Sequence, residues 1–425
     1  MQGSLLMDRV IPKKKGDGSF SRTRLTSEIP GWIFQADWKA TGPRLLGAAL
    51  GVVIVGMLAA GLWPFHSPRN QVTWLAGGHG VRFGLHGTIL GSFEPKGSNV
   101  SADAPCSLEI WFQPARPWSL GTLIHFYSPC NGRQFSLHQV NGRLAVESDP
   151  YDRHYRAPTI TLFIEDVLLR PGLSFVTITS AGGHTLAYVD GRLVLTAVGF
   201  PLSGQDLHGE LVIANSARIE SSWSGLLRGL AVYDECLSPT QVVHHYETWT
   251  KQGRPDISEK ERATKVYSFD EGTGSVVHNR VHSGIDLYIP ERFVVLHQVF
   301  LRPFWEEYEP TWDYWRDVVL FNIVGFIPFG FLCCAYLSLA KRVKRPGLVT
   351  VLLGFAVSLT IECLQALLPT RDSGTTDLIT NTLGASLGVW FYLWDIWRPP
   401  CTRIWTHLVE SKAAGLSKEA RRSRS

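Results

Sequence analysis

The sequence predicts a multi-domain chain, a four-helix transmembrane unit interrupted by an all-β sandwich or barrel outside the membrane. Three observations predict it. Four apolar runs of helical length stand at residues 45–65, 318–340, 347–368 and 378–394. Basic residues gather on alternate sides of those runs. Between the first run and the second lies a long region of short, β-branched and aromatic segments separated by glycine-bearing turns.

The first run, residues 45–65, carries no charge and is long enough to cross about 30 Å of hydrocarbon as a helix. It starts too far from Met1 for an ordinary cleaved signal peptide, and no small-residue cleavage site follows, so it reads as a retained anchor. Lys13, Lys14, Lys15, Arg22, Arg24, Lys39 and Arg44 precede it. By the positive-inside rule this tail, residues 1–44, is cytoplasmic, and the region after the helix is exported. The second run then passes inward to Lys341, Arg342, Lys344 and Arg345. The third returns outward, and the fourth ends before a tail, residues 397–425, that closes on Arg421, Arg422 and Arg424. Three basic segments thus agree on one topology, with residues 66–316 outside a cell (inner) membrane. Trp63, Trp312, Trp315, Trp390, Trp394 and Trp397 sit near run ends, where interfacial aromatics belong.

Composition sets outer limits. Of 425 residues, 45% are hydrophobic and 18% charged, and the net charge of +4 is too small to argue for a nucleic-acid partner. The seven cysteines show no CxxC pair and no zinc spacing, so no metal or other cofactor is expected. Cys106 and Cys130 would be free to pair in an exported region.

In residues 72–248, runs such as Ser107-Leu-Glu-Ile-Trp-Phe112 and Phe175-Val-Thr-Ile-Thr179 read as strands. Asn141-Gly142 and Asp190-Gly191, each flanked by Val and Arg-Leu, tolerate the positive φ angles of a type I′ hairpin turn. Glu109 stands alone on its strand and reads as a surface carboxylate, since glycan hydrolysis needs two carboxylates across the scissile bond. The histidines His79, His86, His125, His184, His244 and His245 show no metal spacing and read as surface or core residues. Asn99 opens a glycosylation sequon that carries no weight.

The order Leu108-Glu-Ile-Trp-Phe112, Phe175-Val-Thr-Ile-Thr179, Leu186-Ala-Tyr-Val-Asp-Gly191 and Gly229-Leu-Ala-Val-Tyr233 resembles a LamG / concanavalin A-like jelly roll. The segment 237–246 is similar to the closing helix of such domains. Val266-Tyr-Ser-Phe-Asp-Glu-Gly-Thr-Gly274 resembles an opening strand that here comes late. Within residues 249–316, a linker and juxtamembrane stretch, it would add an edge strand or form a small β unit. The resemblance implies a binder of a glycan, peptide or protein.

The late runs, within residues 317–396, hold Asn322, Glu362, Gln365, Arg371, Asp372, Asp377 and Asn381 among apolar neighbours. Ionisable groups at membrane depth cost roughly 2.5–3.5 kcal/mol each on insertion scales, so they persist when paired or used. Ser358, Glu362 and Gln365 share one helical face, as do Asp377, Asn381, Gly384 and Gly388. Gly384 and Gly388 admit close approach of a neighbouring helix, and Pro328 should bend the second span. All the polar groups then fall at one depth; Glu362, Gln365, Arg371, Asp377 and Asn381 are expected to converge on one cavity open to the outside, and Asn322 joins them as a candidate binding residue. An Arg371 contact with Glu362 or Asp377 is expected.

Asn322…Phe326-Ile-Pro-Phe-Gly330, Glu362-x-x-Gln365 and Arg371…Asp377…Asn381-x-x-Gly384 resemble the VanZ-like membrane family. That family is associated with resistance to glycopeptide antibiotics such as teicoplanin. The chain then looks like a VanZ-like protein with a LamG-like insertion. The resemblance implies a cell-envelope protein whose bundle meets membrane lipids and holds a lipid-linked or amphiphilic ligand. Two further readings stand open. One is an intramembrane enzyme with Glu362 as acid or base, and the other is a set of buried polar groups that only tie helices together, worth about 0.6 kcal/mol per hydrogen bond.

Overall fold

The computed structural model describes residues 38–91, 101, 103–130, 132–149, 160–200, 202–258, 261–281, 284–307, 312, 314–339 and 343–397. The basic residues Lys13, Lys14, Lys15, Arg22, Arg24, Lys341, Arg342, Arg421, Arg422 and Arg424, together with Cys401 and the sequon residue Asn99, lie outside the described residues.

Helix α1 (Trp38–Leu62) is followed by a β sandwich and a single turn of helix, α3 (Phe304–Glu307), and the described residues close on helices α4 (Phe321–Leu339), α5 (Pro346–Gln365) and α6 (Thr375–Trp397). A π-helical stretch, Tyr314–Leu320, leads into α4. Among the described residues, three helical stretches are long and apolar enough to cross a membrane: Gly42–Leu62, Tyr314–Leu339 and Pro346–Gln365. Helix α6, expected as a fourth span, is not among them. Thr375, Thr376, Asp377, Thr380, Asn381 and Thr382 make its first two turns polar. It is nonetheless built into the bundle. A side-chain carbon added at Gly384 would strike the Ile323 carbonyl, and one at Gly388 the Ile327 carbonyl, so the two glycines let α6 lie directly against α4. Helix α4 continues through Pro328 without a break.

The sandwich consists of two antiparallel sheets. The first runs in the order β1 (Val72–Trp74), β2 (Val81–Phe83), β13 (Gly225–Tyr233), β4 (Cys106–Pro114), β9 (Ser174–Ala181), β10 (His184–Val189), β11 (Arg192–Val198). The second runs β15 (Val276–Val277), β16 (Leu287–Tyr288), β3 (Ile89–Gly91), β12 (Glu210–Ile213), β5 (Leu120–Tyr127), β6 (Gln134–Val140), β7 (Arg143–Asp149), β8 (Ile160–Ile164). The period of two along β4 shows why the layers form. Cys106, Leu108, Ile110 and Phe112 face the core between the sheets. Glu109 and Trp111 face outward, beneath α2 (Pro239–Gln252). The α2 N-terminus is fixed by Ser238, which with Gln241 forms a capping box, and its C-terminus by Gly253 at φ 72°.

Both hairpins take the turn their sequences require. Asn141 and Gly142 have φ 47° and 87°, and Asp190 and Gly191 have 51° and 74°. Strand β14 (Ala263–Tyr267) pairs with Leu230–Tyr233 of β13, while β15 and β16 extend the second sheet beyond β3. Tyr267, Phe269, Val277 and Leu287 join the central core, so residues well past 248 complete the sandwich. The chain enters and leaves it side by side. Asn70 N donates to Glu291 O (3.0 Å) and Phe293 N to Pro68 O (3.0 Å). Among the described residues Cys106, Cys130, Cys236, Cys333, Cys334 and Cys363 are all free, so Cys106 and Cys130 do not pair. Cys106 is buried in the core and Cys130 is exposed.

Candidate functional site

The polar residues of the late helices meet at one end of the bundle as a set of interhelical bonds. Asn322 on α4 donates to Asp377 on α6 (2.7 Å). Asn381 on α6 donates to the Ser358 hydroxyl on α5 (3.0 Å). Gln365 on α5 donates to the carbonyl of Gly61 in α1 (3.0 Å). Each bond joins two helices, so the cluster is the place where α1, α4, α5 and α6 are fastened.

Glu362 is the most enclosed of the six expected site residues, at 1% exposure. Its Oε2 accepts the backbone N–H of Gly374 in the loop between α5 and α6 (2.8 Å). A buried carboxylate needs such donors, because leaving it unpaired costs several kcal/mol. The loop it holds is gripped from the other side by the segment 298–302. Arg302 N donates to Ser373 O (2.9 Å) and Thr375 N to Arg302 O (2.9 Å). Gln298 Nε2 reaches the carbonyls of Leu368 (2.9 Å) and Arg371 (2.5 Å). The segment is anchored in turn on the sandwich loop between β12 and β13, where His297 N donates to Ala217 O (2.7 Å). A continuous path of hydrogen bonds therefore runs from the β sandwich through residues 297–302 and the α5–α6 loop to Glu362.

Arg371 departs from expectation. It pairs with neither Glu362 nor Asp377, and its Nε (3.0 Å) and Nη2 (2.6 Å) both donate to the carbonyl of Trp63. The physical reason is the end of α1. The last carbonyls of a helix lack partners within it and form its negative pole, and a guanidinium from an adjacent loop satisfies both needs. Gln365 performs the same service two residues earlier, at Gly61. Two of the six expected site residues thus hold the first helix, while Glu362 holds the loop. Among the described residues, Gln365 Oε1 and Asn381 Oδ1 are buried acceptors without a donor.

A second buried polar group, in the sandwich, corrects the surface reading of Glu109. Its side chain is fully buried. Oε2 accepts from Tyr233 Oη (2.9 Å) and Trp249 Nε1 (3.2 Å), and Oε1 lies 3.0 Å from His245 Nδ1. His245 Nε2 stands 3.4 Å from Glu261. Burial works against a charged imidazole, but the hydrogen bond and charge of Glu109, joined by Glu261, raise the His245 pKa above the ordinary value. The cause of the misreading is α2, which covers this face of the sheet. The available signal was His245 and Trp249 at i, i+4 on that amphipathic helix. Its partners Tyr233, Trp249 and His245 are all buried, and the group fixes α2 on the sheet.

The family model described as VanZ/LLP1 matches residues 267–398, and that described as Concanavalin A-like lectin/glucanases superfamily matches residues 92–243. A lectin-like β segment followed by a VanZ/LLP1 segment is the architecture the sequence motifs imply. With the three long apolar helices, these matches mark a membrane protein. A comparison with curated proteins finds no match. Among solved structures, the chain is similar to the Ruminococcus gnavus IT-sialidase CBM40 bound to alpha2,3 sialyllactose, at 14% identity, 39% of this chain, 95% of that chain and a TM-score of 0.30. It is also similar to the receptor binding domain of botulinum neurotoxin C/D mosaic serotype, at 16% identity, 44% of this chain and a TM-score of 0.36, spanning 46% of that chain. Both likenesses are slight, and the sandwich is read from its own strands.

Proposed function

We propose that this chain is a multi-pass protein of the cell envelope, with both termini cytoplasmic and residues 66–316 outside. In this reading α6 completes a four-helix membrane unit with α1, α4 and α5. The sandwich is the binding domain for an envelope glycan or peptide. The bundle end at Glu362 receives a lipid-linked or amphiphilic envelope ligand, and the outcome is lower susceptibility to glycopeptide antibiotics.

The observation that carries this reading is the hydrogen-bonded path from the sandwich loop at Ala217, through Arg302 and Ser373, to the buried Glu362 carboxylate. It joins the two halves of the chain at the polar cluster. Binding is favoured over hydrolysis because Glu362 is engaged by Gly374 and Asp377 by Asn322. General acid–base work needs a carboxylate within reach of a substrate proton. The test is affinity capture of envelope lipids by the full chain in nanodiscs, analysed by mass spectrometry. Enrichment of a lipid-linked envelope precursor over bulk phospholipid is expected. Capture of bulk phospholipid alone would overturn the reading.

A further inference from the structure

Antiparallel alternation sorts the sandwich loops into two ends. The β2–β3, β4–β5, β6–β7, β8–β9, β10–β11 and β12–β13 connections share one end, as the registers Phe83↔Gly225, Phe112↔Ser174, Ile213↔Ile124 and Leu144↔Ile164 require. This is the end that meets the bundle. His297 N and Val299 N donate to Ala217 O (2.7 Å) and Arg218 O (3.3 Å) in the β12–β13 connection. The Asp372 carboxylate, in the loop between α5 and α6, lies near the Glu220 amide of that connection. One residue further, Thr122 N donates to Ser221 O (2.9 Å), which brings β5 and the β4–β5 loop to the same level.

Large apolar side chains are exposed around this end. Leu85 is 72% exposed, Trp118 65%, Leu120 65% and Leu169 46%. Trp118 and Leu169 flank Gly142, where an added side-chain carbon would touch both, so three connections contribute to one surface. Trp63 and Phe65, just past the end of α1, are exposed near the same end of the bundle. Arg116 is exposed beside Trp118 and makes no ion pair among the described residues. Aromatic and apolar side chains at the level where helices leave the hydrocarbon, with a guanidinium beside them, match the chemistry of the headgroup and acyl boundary. A water-facing role would leave this surface unpartnered.

We propose that the bundle-facing end of the sandwich rests on the lipid surface around the helices, with Leu85, Trp118, Leu120 and Leu169 seated in the interfacial layer and Arg116 at the phosphate level. The inference rests on the reading that α1, α4 and α5 span the membrane. The lipid contact fixes the height of the sandwich over the bilayer, and with it the distance from which the distal loops reach an envelope ligand.

The test is site-specific photocrosslinking of the full chain in phosphatidylglycerol/phosphatidylcholine nanodiscs. A benzophenone amino acid is placed singly at Trp118, Leu120 or Leu169. Val198 at the opposite end of the sandwich is the negative site, and Val52 in α1 is the positive one. Lipid adducts at Trp118 and Leu120 at least tenfold above Val198 are expected. Adducts at Val52 with Trp118 and Leu120 no higher than Val198 would overturn the proposal while leaving the spans intact. Absence of adducts at Val52 would instead remove the spanning reading, and this proposal with it. A covalent dimer through Trp118 would show that a second copy covers the surface, and would likewise overturn the proposal.

Discussion

Arg371 and Trp63 are joined by two donors on one acceptor. The guanidinium Nε and Nη2 lie 3.0 and 2.6 Å from the Trp63 carbonyl, so the loop between α5 and α6 closes the end of α1. Helices separated by the whole β sandwich in sequence are fastened here by a side chain on a backbone group.

Removing that fastening should loosen α1. Arg371→Ala is expected to lower stability by about 1.5 kcal/mol, the lower end for a charge-assisted hydrogen bond because the site is partly exposed. Arg371→Lys, which keeps a cation but not the fork, should lose less. Thermal unfolding in nanodiscs measures both, and equal melting of Arg371→Ala and the parent would refute the capping role.

The close approach of α6 to α4 gives a sharper contrast. Gly388→Ala places a carbon against the Ile327 carbonyl, whereas the same change at Gly325 meets no heavy atom within 4 Å. Overpacking costs about 1–3 kcal/mol. Gly388→Ala should therefore reduce the amount of folded protein recovered from membranes, and Gly325→Ala should not.

The sandwich should need its late strands. Tyr267, Phe269, Val277 and Leu287 are core residues, so a fragment of residues 72–248 exposes the surfaces they cover, while residues 66–300 retain them. Circular dichroism and cooperative urea unfolding are expected for the longer fragment only. Cooperative unfolding of the shorter one would show the late strands to be dispensable.

The division between what was readable and what was not follows the range of each interaction. The Asn141-Gly142 and Asp190-Gly191 turns and the Gly384–Gly388 contact were legible, because backbone sterics decide them within a few residues. The burial of Glu109 was not, because it depends on α2 folding back over β4 from far along the chain. The Arg371 partner was hidden for the same reason: a loop arginine among several acids gives no hint that a distant helix end is the better acceptor. For the late strand segment, the sequence showed β character but not whether it paired with the sandwich.

Acid should act on the sandwich through His125. Burial first, with His138 and Arg218 nearby, lowers its pKa to about 3 from the ordinary 6.5. The folded state keeps the ring neutral while the unfolded chain takes up a proton. Stability is therefore present above about pH 6.5 and lost as pH falls toward 3. His245 works in the opposite sense. Its raised pKa gives stability that is present below about pH 6.5 and lost as pH rises through the folded value. Urea unfolding from about pH 4 to about pH 8 should show His125→Gln flattening the acid limb and His245→Gln flattening the alkaline one. Unchanged pH profiles in both variants would contradict these assignments.

The central claim, that the Glu362 end of the bundle serves a ligand rather than only the fold, is tested most directly by Glu362→Gln. The amide keeps an oxygen for the Gly374 N–H, so the loop contact survives while the ionisable carboxyl is removed. In a strain carrying this chain as its sole copy, teicoplanin susceptibility is measured beside the amount of protein in the membrane. Unchanged abundance with susceptibility raised to the level of the deletion strain is expected. Susceptibility that stays at the parental level, or that rises only in proportion to lost protein, would contradict it.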